Sequence, residues 1–383
     1  MGTGGSDDRP SAGELTAPVR VGPIAHGGHC VARVDGAVVF VRHAIPGELV
    51  TIRLTQVRSR FARGEVAEVI EASPQRRTPP CPIAAECGGC DFQHLSAPDS
   101  RELKRQVVAE LLGHQAGYAF DGEVEGFDDG FGWRTRMRYH RGADGSLGLR
   151  GSRSEQVVAL PAEGCRIAVA GIAAPATAPG RGPVIAAAAA SGTIIAEPAE
   201  LPSTVTEQVG ENRFEVAADG FWQPHRLAPR ILTEAVLDAL QPAPGEIAFD
   251  LFCGVGLFAA ALSDAGCQVW GVEGDRRAID LARRNVAGAR FLAGDVARTL
   301  RRLPERAGVV VLDPPRSGAG RQVISQVIAR RPRAIAYVAC DPAALARDLA
   351  TAVQLGYRID AVRAFDLFGT THHVESLATL RPA

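Results

Sequence analysis

The sequence predicts an α/β protein: a doubly wound sheet with an antiparallel end hairpin, preceded by a small β-barrel and a mixed central domain. Three observations carry that prediction. From residue 216 onward, short apolar runs alternate with helix-like stretches, and a glycine loop follows the first run. The last two strand-like runs, 357–368 and 374–381, leave no space for a helix between them. Residues 14–72 instead break into short β-branched runs separated by glycine turns, the pattern of a small OB-like barrel.

The elements follow in order. Residues 1–13 (MGTGGSDDRPSAG) read as a disordered tail, and 14–72 as the barrel. The central domain spans 73–215. It opens with a Pro/Cys-rich segment and continues through the helix-like SRELKRQVVAELLGHQ, a basic strand and several short strands. An Ala/Pro/Gly-rich stretch at 173–192 is expected as an insertion or surface loop. In the domain 216–383, the helix-like HRLAPRILTEAVLDAL leads into EIAFDL and then FCGVG. The next strands read QVWGVEGD, ARFLAGD, GVVVLD and AIAYVAC, with helical stretches between them.

A chain of 383 residues exceeds one core of ordinary size, so two or three domains are expected. No apolar run approaches the ~18 residues of a membrane span, and the first residues lack the basic and apolar regions of a secretory signal. A cytoplasmic protein is expected, whose eight cysteines stay reduced or bind metal. The net charge of −1 leaves no global nucleic-acid footprint. Local charge is more telling. Arg53, Arg58, Arg60 and Arg63 occur with no acid between them, and Arg134, Arg136 and Arg138 alternate with Thr135, Met137 and Tyr139. At the strand period of two, the latter places three guanidiniums on one face, and the two stretches together suggest a phosphate-contacting surface. Lys104 is the only lysine among 42 basic residues.

The chemistry concentrates at strand ends. Cys340 closes a buried-type strand, and Glu375 sits on a later polar turn, a plausible nucleophile and base. Gly254 and Gly256 follow the first strand and Glu273 ends the second. Glycines admit a nucleotide-type ligand to the backbone, and an acid at the second strand tip accepts ribose hydroxyls. The loop also satisfies a dinucleotide pattern, so a nicotinamide cofactor competes with S-adenosylmethionine. Acidic Asp250, suited to a cationic sulfonium, and the antiparallel hairpin favour S-adenosylmethionine. Asp295 is placed to accept from an adenine amino group or to cap the helix that follows it. Asp313, stiffened by Pro314 and Pro315, faces the same loop. Cys81, Cys87, Cys90 and Cys165 are four thiols that suit a zinc ion or an iron–sulfur cluster. Cys253, Cys267 and Cys30 read as packing residues.

DLFCGVGLF, VLDPPRSG, YVACDP and THHVES, in that order, resemble the RNA uracil-5-methyltransferases, as do FWQ and CPIAAECGGCDFQH. The likeness covers nearly the whole chain. It implies a class I methyltransferase domain and an amino-terminal barrel similar to the TRAM RNA-binding module. It further implies Cys340 as nucleophile, Glu375 as base and Asp313 near the uracil ring. Gln223, Phe252, Glu273 and Asp295 would surround S-adenosylmethionine, and the four cysteines would hold a [4Fe–4S] cluster rather than zinc. The substrate implied is an unstacked uridine in RNA, 23S rRNA ahead of tRNA, modified by a monomer. The chain departs from the family at ACDP, where Ser-Cys-Asn-Pro is usual, at FGTTHH, and at Leu257. Two other readings remain: a nicotinamide-dependent oxidoreductase, and a non-catalytic RNA-binding iron–sulfur protein.

Overall fold

The structure is a computed structural model that describes residues 11–174, 180 and 182–383. Most of the expected tail and residues 175–179 and 181 of the Ala/Pro/Gly-rich stretch lie outside the described residues.

Residues 216–383 supply seven strands of one eight-stranded sheet. Its spatial order is Arg290–Ala293, Gln268–Glu273, Ile247–Leu251, Val309–Leu312, Ala334–Ala339, Glu375–Pro382, Tyr357–Phe365 and Val124–Glu125. The first five are parallel, and Glu375–Pro382 and Tyr357–Phe365 form the expected antiparallel hairpin. Val309–Leu312 and Ala334–Ala339 are buried at every position, as strands covered on both faces must be. Leu232, Val236, Phe258 and Ile279 pack on one face, and Leu300, Ile324, Leu345 and Leu349 on the other. Three strand-to-helix turns are capped by aspartates. Asp275 accepts from the Arg277 N–H (2.8 Å), Asp295 from the Arg298 N–H (3.0 Å) and Asp341 from the Ala344 N–H (2.8 Å). The eighth strand, Val124–Glu125, comes from the central region, and its two residues are too few to leave a periodic signal.

The amino-terminal strands form one six-stranded sheet rather than the closed barrel expected. Its edge strands, Val19–Arg20 and Ile24–Ala25, are two residues each and do not pair with one another. Residues 21–23 span the gap. The Val21 N–H donates to Glu48 O (2.9 Å) and the Gly22 N–H to Val31 O (2.7 Å), while Pro23 has no N–H to extend the ladder. The curled sheet encloses Val41, Val50, Ile52 and Cys30, whose thiol donates to Ala44 O at 3.3 Å.

In the central region, a five-stranded antiparallel sheet runs Val157–Ala159, Leu147–Arg150, Arg136–Arg141, Val184–Ala189, Gly192–Ala196. Residues 184–189, expected within a surface loop, are therefore an interior strand. Ala186 and Ala187 are fully buried at the pairing with Met137 and Arg136, where a small side chain is what fits. The helix expected near 100–115 is observed as Ala97–Leu111, capped by Ser96, which accepts from the Asp99 N–H at 3.1 Å. Among the described residues no helix is long and apolar enough to cross a membrane.

Candidate active site

Parallel strands end on one edge of a sheet, and the order here reverses between Ile247–Leu251 and Val309–Leu312, the position at which such sheets open a crevice. A cleft of about 1300 Å³ lies there. That exceeds the ~300–1000 Å³ of a single small-ligand pocket, leaving room for a second ligand. Gln223, Phe252, Gly254, Glu273, Asp295, Asp313, Cys340 and Glu375 all line it.

One half is built around the glycine loop. Phe252 (φ 64°), Gly254 (φ 52°) and Gly256 (φ 94°) turn the chain sharply out of the first strand. A Cβ at Gly254 would meet nothing, so its backbone faces open space, whereas one at Gly256 would press on Val286 Cγ2 at 3.1 Å. Gly256 does not line the cleft; it lets the following helix pack closely. Glu273 accepts from the Gly254 N–H (3.2 Å) and the Asp275 N–H (2.9 Å), holding the loop against the second strand. Asp295 is exposed at the cleft and also caps its helix. Asp250 differs from expectation. It is fully buried beneath the loop, accepts from the Ala259 N–H (2.8 Å), and burial pushes its carboxyl up to about 8. It braces the loop from below and offers no charge to the cleft.

The other half holds the reactive groups. Ala339 pairs with Ser376, so the next residues outward, Cys340 and Glu375, end adjacent antiparallel strands at the same edge. Burial, then the neighbouring Glu375, pushes the Cys340 thiol up to about 12, with Arg316 opposing. Glu375 is itself pushed well up by burial and by Asp313. Burial and Glu273 raise Asp313, which accepts from the Gln223 amide at 3.2 Å. His373 lies 3.1 Å from Arg316, and burial beside His372 and Arg316 lowers its imidazole to about 3.

The remaining walls combine the basic strand with residues that sequence reasoning did not single out. Asp91 accepts from the His372 N–H (3.0 Å) and lies 2.7 Å from its Nδ1, fastening the turn that precedes Glu375. Arg134, Arg136, Arg150, Arg153, Arg277 and Arg316 line the cleft, drawn from two regions of the chain. The basic strand is only partly as expected. Arg136 donates to Glu207 (2.9 Å), Arg134 turns back to Arg136 O (3.0 Å), and only Arg138 is exposed. On the amino-terminal sheet, Arg58 and Arg60 are exposed and Arg63 sits over the Phe40 and Phe61 rings at 5.6 and 5.3 Å.

Cys81, Cys87, Cys90 and Cys165 are buried, unpaired thiols lining one small cavity with Ile83, Leu149 and Ile167. Among the described residues, no three His, Cys, Asp or Glu side chains are grouped so as to hold a metal ion, which is not the tight tetrahedron zinc requires. Two arginines flank the thiols: buried Arg42 donates to Cys87 O (2.8 Å) and Cys90 O (2.9 Å), and half-buried Arg134 lies near Cys165 and Cys90. The donor set suits a soft, anionic group. Cys253 is buried beneath the cofactor loop, and Cys267 precedes the second strand.

The doubly wound sheet, its glycine loop and the cysteine–carboxylate edge define a class I methyltransferase. Residues 16–67 match the model of the TRAM domain, and 304–382 that of tRNA (uracil-5-)-methyltransferase. An RNA methyltransferase of Streptomyces avermitilis is 40% identical, across 95% of this chain and 98% of its own. One from Bifidobacterium longum is 34% identical across 97% and 98%. The 23S rRNA (uracil(1939)-C(5))-methyltransferase RlmD of Shewanella amazonensis is 29% identical across 94% of each chain. The crystal structure of the Pyrococcus abyssi tRNA (uracil-54, C5)-methyltransferase in complex with S-adenosyl-L-homocysteine shares the fold. Its TM-score is 0.72 at 22% identity, covering 94% of this chain and 99% of that one. The chain belongs to the RNA uracil-5-methyltransferase family, and the oxidoreductase and non-catalytic readings fall away.

Proposed function

We propose that the protein methylates carbon 5 of a uridine in 23S rRNA through a covalent adduct between Cys340 and the uracil ring. The observation that carries the reading is the strand register that sets Cys340 beside Glu375 at the cleft. S-adenosylmethionine, when bound, supplies the methyl group, with Gln223, Phe252, Gly254, Glu273 and Asp295 positioned to hold it. Carbon 5 of uracil is too weak a nucleophile to be methylated directly. Cys340 gives its proton to solvent, its Sγ bonds to carbon 6, and the C5–C6 π electrons move onto the carbonyl oxygen as an enolate. Carbon 5 then takes the methyl group. Glu375, ionised at that stage, removes the carbon 5 proton, the C5–C6 double bond re-forms and Cys340 leaves. Asp313, raised by burial, is a carboxyl able to donate to the ring while protonated.

The TRAM domain and the arginine-lined cleft support an RNA substrate whose target base is turned out of its stack. The similarity to RlmD over almost the full length favours 23S rRNA over tRNA. We further read the four-thiol cavity as the seat of a [4Fe–4S] cluster that orders the loop around Cys90 rather than joining the chemistry. Thr370, on the turn before Glu375, donates to Cys90 Sγ at 3.3 Å and supports that role. Iron and acid-labile sulfide in anaerobically purified protein, lost in Cys87→Ser, test it. Mass-spectrometric mapping of 5-methyluridine in 23S rRNA and tRNA, from cells with and without the gene, tests the function. A 5-methyluridine lost from 23S rRNA is the expected result, and loss from tRNA alone would overturn the choice of substrate.

A further inference from the structure

The turn between strands Ile24–Ala25 and His29–Val34 leaves the amino-terminal sheet and reaches the catalytic edge. His26 Nε2 lies 3.2 Å from Asp341 Oδ2. Gly28, at φ +75°, fits so closely that a Cβ there would lie 2.6 Å from the His372 Cβ. A single turn therefore meets both the residue after Cys340 and the segment before Glu375.

Asp341 cannot swing away from the nucleophile, because its other oxygen caps the following helix at the Ala344 N–H (2.8 Å). Its negative charge is fixed one residue from Cys340. The charged groups acting on Cys340 are Glu375, Asp313 and Asp341, all opposing a thiolate, against Arg316 alone in favour. Those facing Asp341 are Cys340 and His26, and His26 is the group there that can carry a positive charge. Burial disfavours the Asp341 carboxylate, but the His26 contact and the cap hold its pKa down to about 2, so the charge is present throughout the working range.

We propose that His26 is a positioning residue for methyl transfer: it pairs with Asp341, offsets that charge beside Cys340, and ties the RNA-binding unit to the loop that presents the thiol. The inference rests on Cys340 being the nucleophile. The pair is partly exposed, at 40% and 25% of the side-chain surfaces, so its effect is modest and falls with salt.

The test is the alkylation rate of Cys340 by iodoacetamide, resolved by mass spectrometry, at neutral pH and at low and high salt in the full-length protein. At a pH well below the thiol pKa the rate follows the thiolate fraction, so a shift of about half a pH unit appears as about a threefold change. His26→Ala is expected to alkylate about threefold more slowly than wild type at low ionic strength, with the gap narrowing as salt screens the pair. In an Asp341→Asn background, His26→Ala is expected to change nothing. Equal rates at low ionic strength, or a gap that persists with Asp341→Asn, overturn the role of His26. Retained methylation by Cys340→Ala overturns the nucleophile itself, a separate result from equal alkylation rates.

Discussion

Cys340 and Glu375 stand opposite one another at the ends of two antiparallel strands, one step beyond the Ala339–Ser376 pair. Directly opposed residues on neighbouring antiparallel strands lie about 4.5–5.5 Å apart at the α-carbons and point to the same face. Cys340 and Glu375 therefore reach the cleft from the same edge of the sheet. The hairpin is what makes this possible. A seventh parallel strand would put the residue before it at the far edge of the sheet, away from the cleft.

Cys340→Ala is expected to abolish 5-methyluridine formation, by more than about 1000-fold, while leaving the thermal midpoint close to wild type. The loss corresponds to about 4 kcal/mol of transition-state stabilisation. A 5-fluorouridine RNA should form a gel-stable adduct with the wild-type protein and none with the variant.

Glu375→Gln separates adduct formation from its resolution. The thiol can still add to carbon 6, but no carboxylate remains to take the carbon 5 proton. Turnover should fall by about 10²- to 10⁴-fold. Unmodified uridine RNA should then accumulate as a covalent complex, visible on denaturing gels without fluorinated substrate.

Asp250 sets a pH dependence of stability. Burial raises its carboxyl from 3.8 to about 8, so the folded chain holds a proton that the unfolded chain releases. Its contribution is fully present below pH 4 and is lost as pH rises through 8. The ligand-free protein should lose stability over that window, by on the order of a few kcal/mol. Asp250→Asn keeps an acceptor for the Ala259 N–H and has no proton to lose. Its melting temperature should be flatter between pH 5 and 8, as differential scanning calorimetry would read directly.

Much of this site was legible because it lies at the ends of apolar strands. Runs such as VVVL and AIAYVA declare themselves, and the polar residue that ends each one falls on the cleft edge. What alternation could not reveal was tertiary partnership. Arg134, Arg136 and Arg138 share a strand phase, yet Glu207, seventy-one residues on, occupies Arg136. Asp250 has the composition of a ligand-facing acid, but its place in the strand turns it under the loop. His26, Asp91 and Val124 act across long sequence separations, and no local pattern marks such contacts. The alanines of 184–189 misled in the other direction, since a composition common in loops was here a close fit against Met137.

The only lysine illustrates the same point and carries the last prediction. Lys104 is buried on the helix Ala97–Leu111 and lies 2.6 Å from Asp366 and 3.2 Å from Phe368 O. Asp366 begins the segment that leads through Thr370 and His372 to Glu375, so the pair anchors the start of that segment. Removing one member of a buried pair strands the other charge, at a cost of about 3–5 kcal/mol, whereas replacing both by apolar groups is often neutral. Lys104→Met should therefore lower the melting temperature sharply, and Lys104→Met with Asp366→Leu should recover most of the loss. Recovery of stability need not restore the turn. If the pair also positions Glu375, the double variant will melt like wild type yet resolve the covalent RNA adduct more slowly, a difference that pre-steady-state quench measurements can separate from folding.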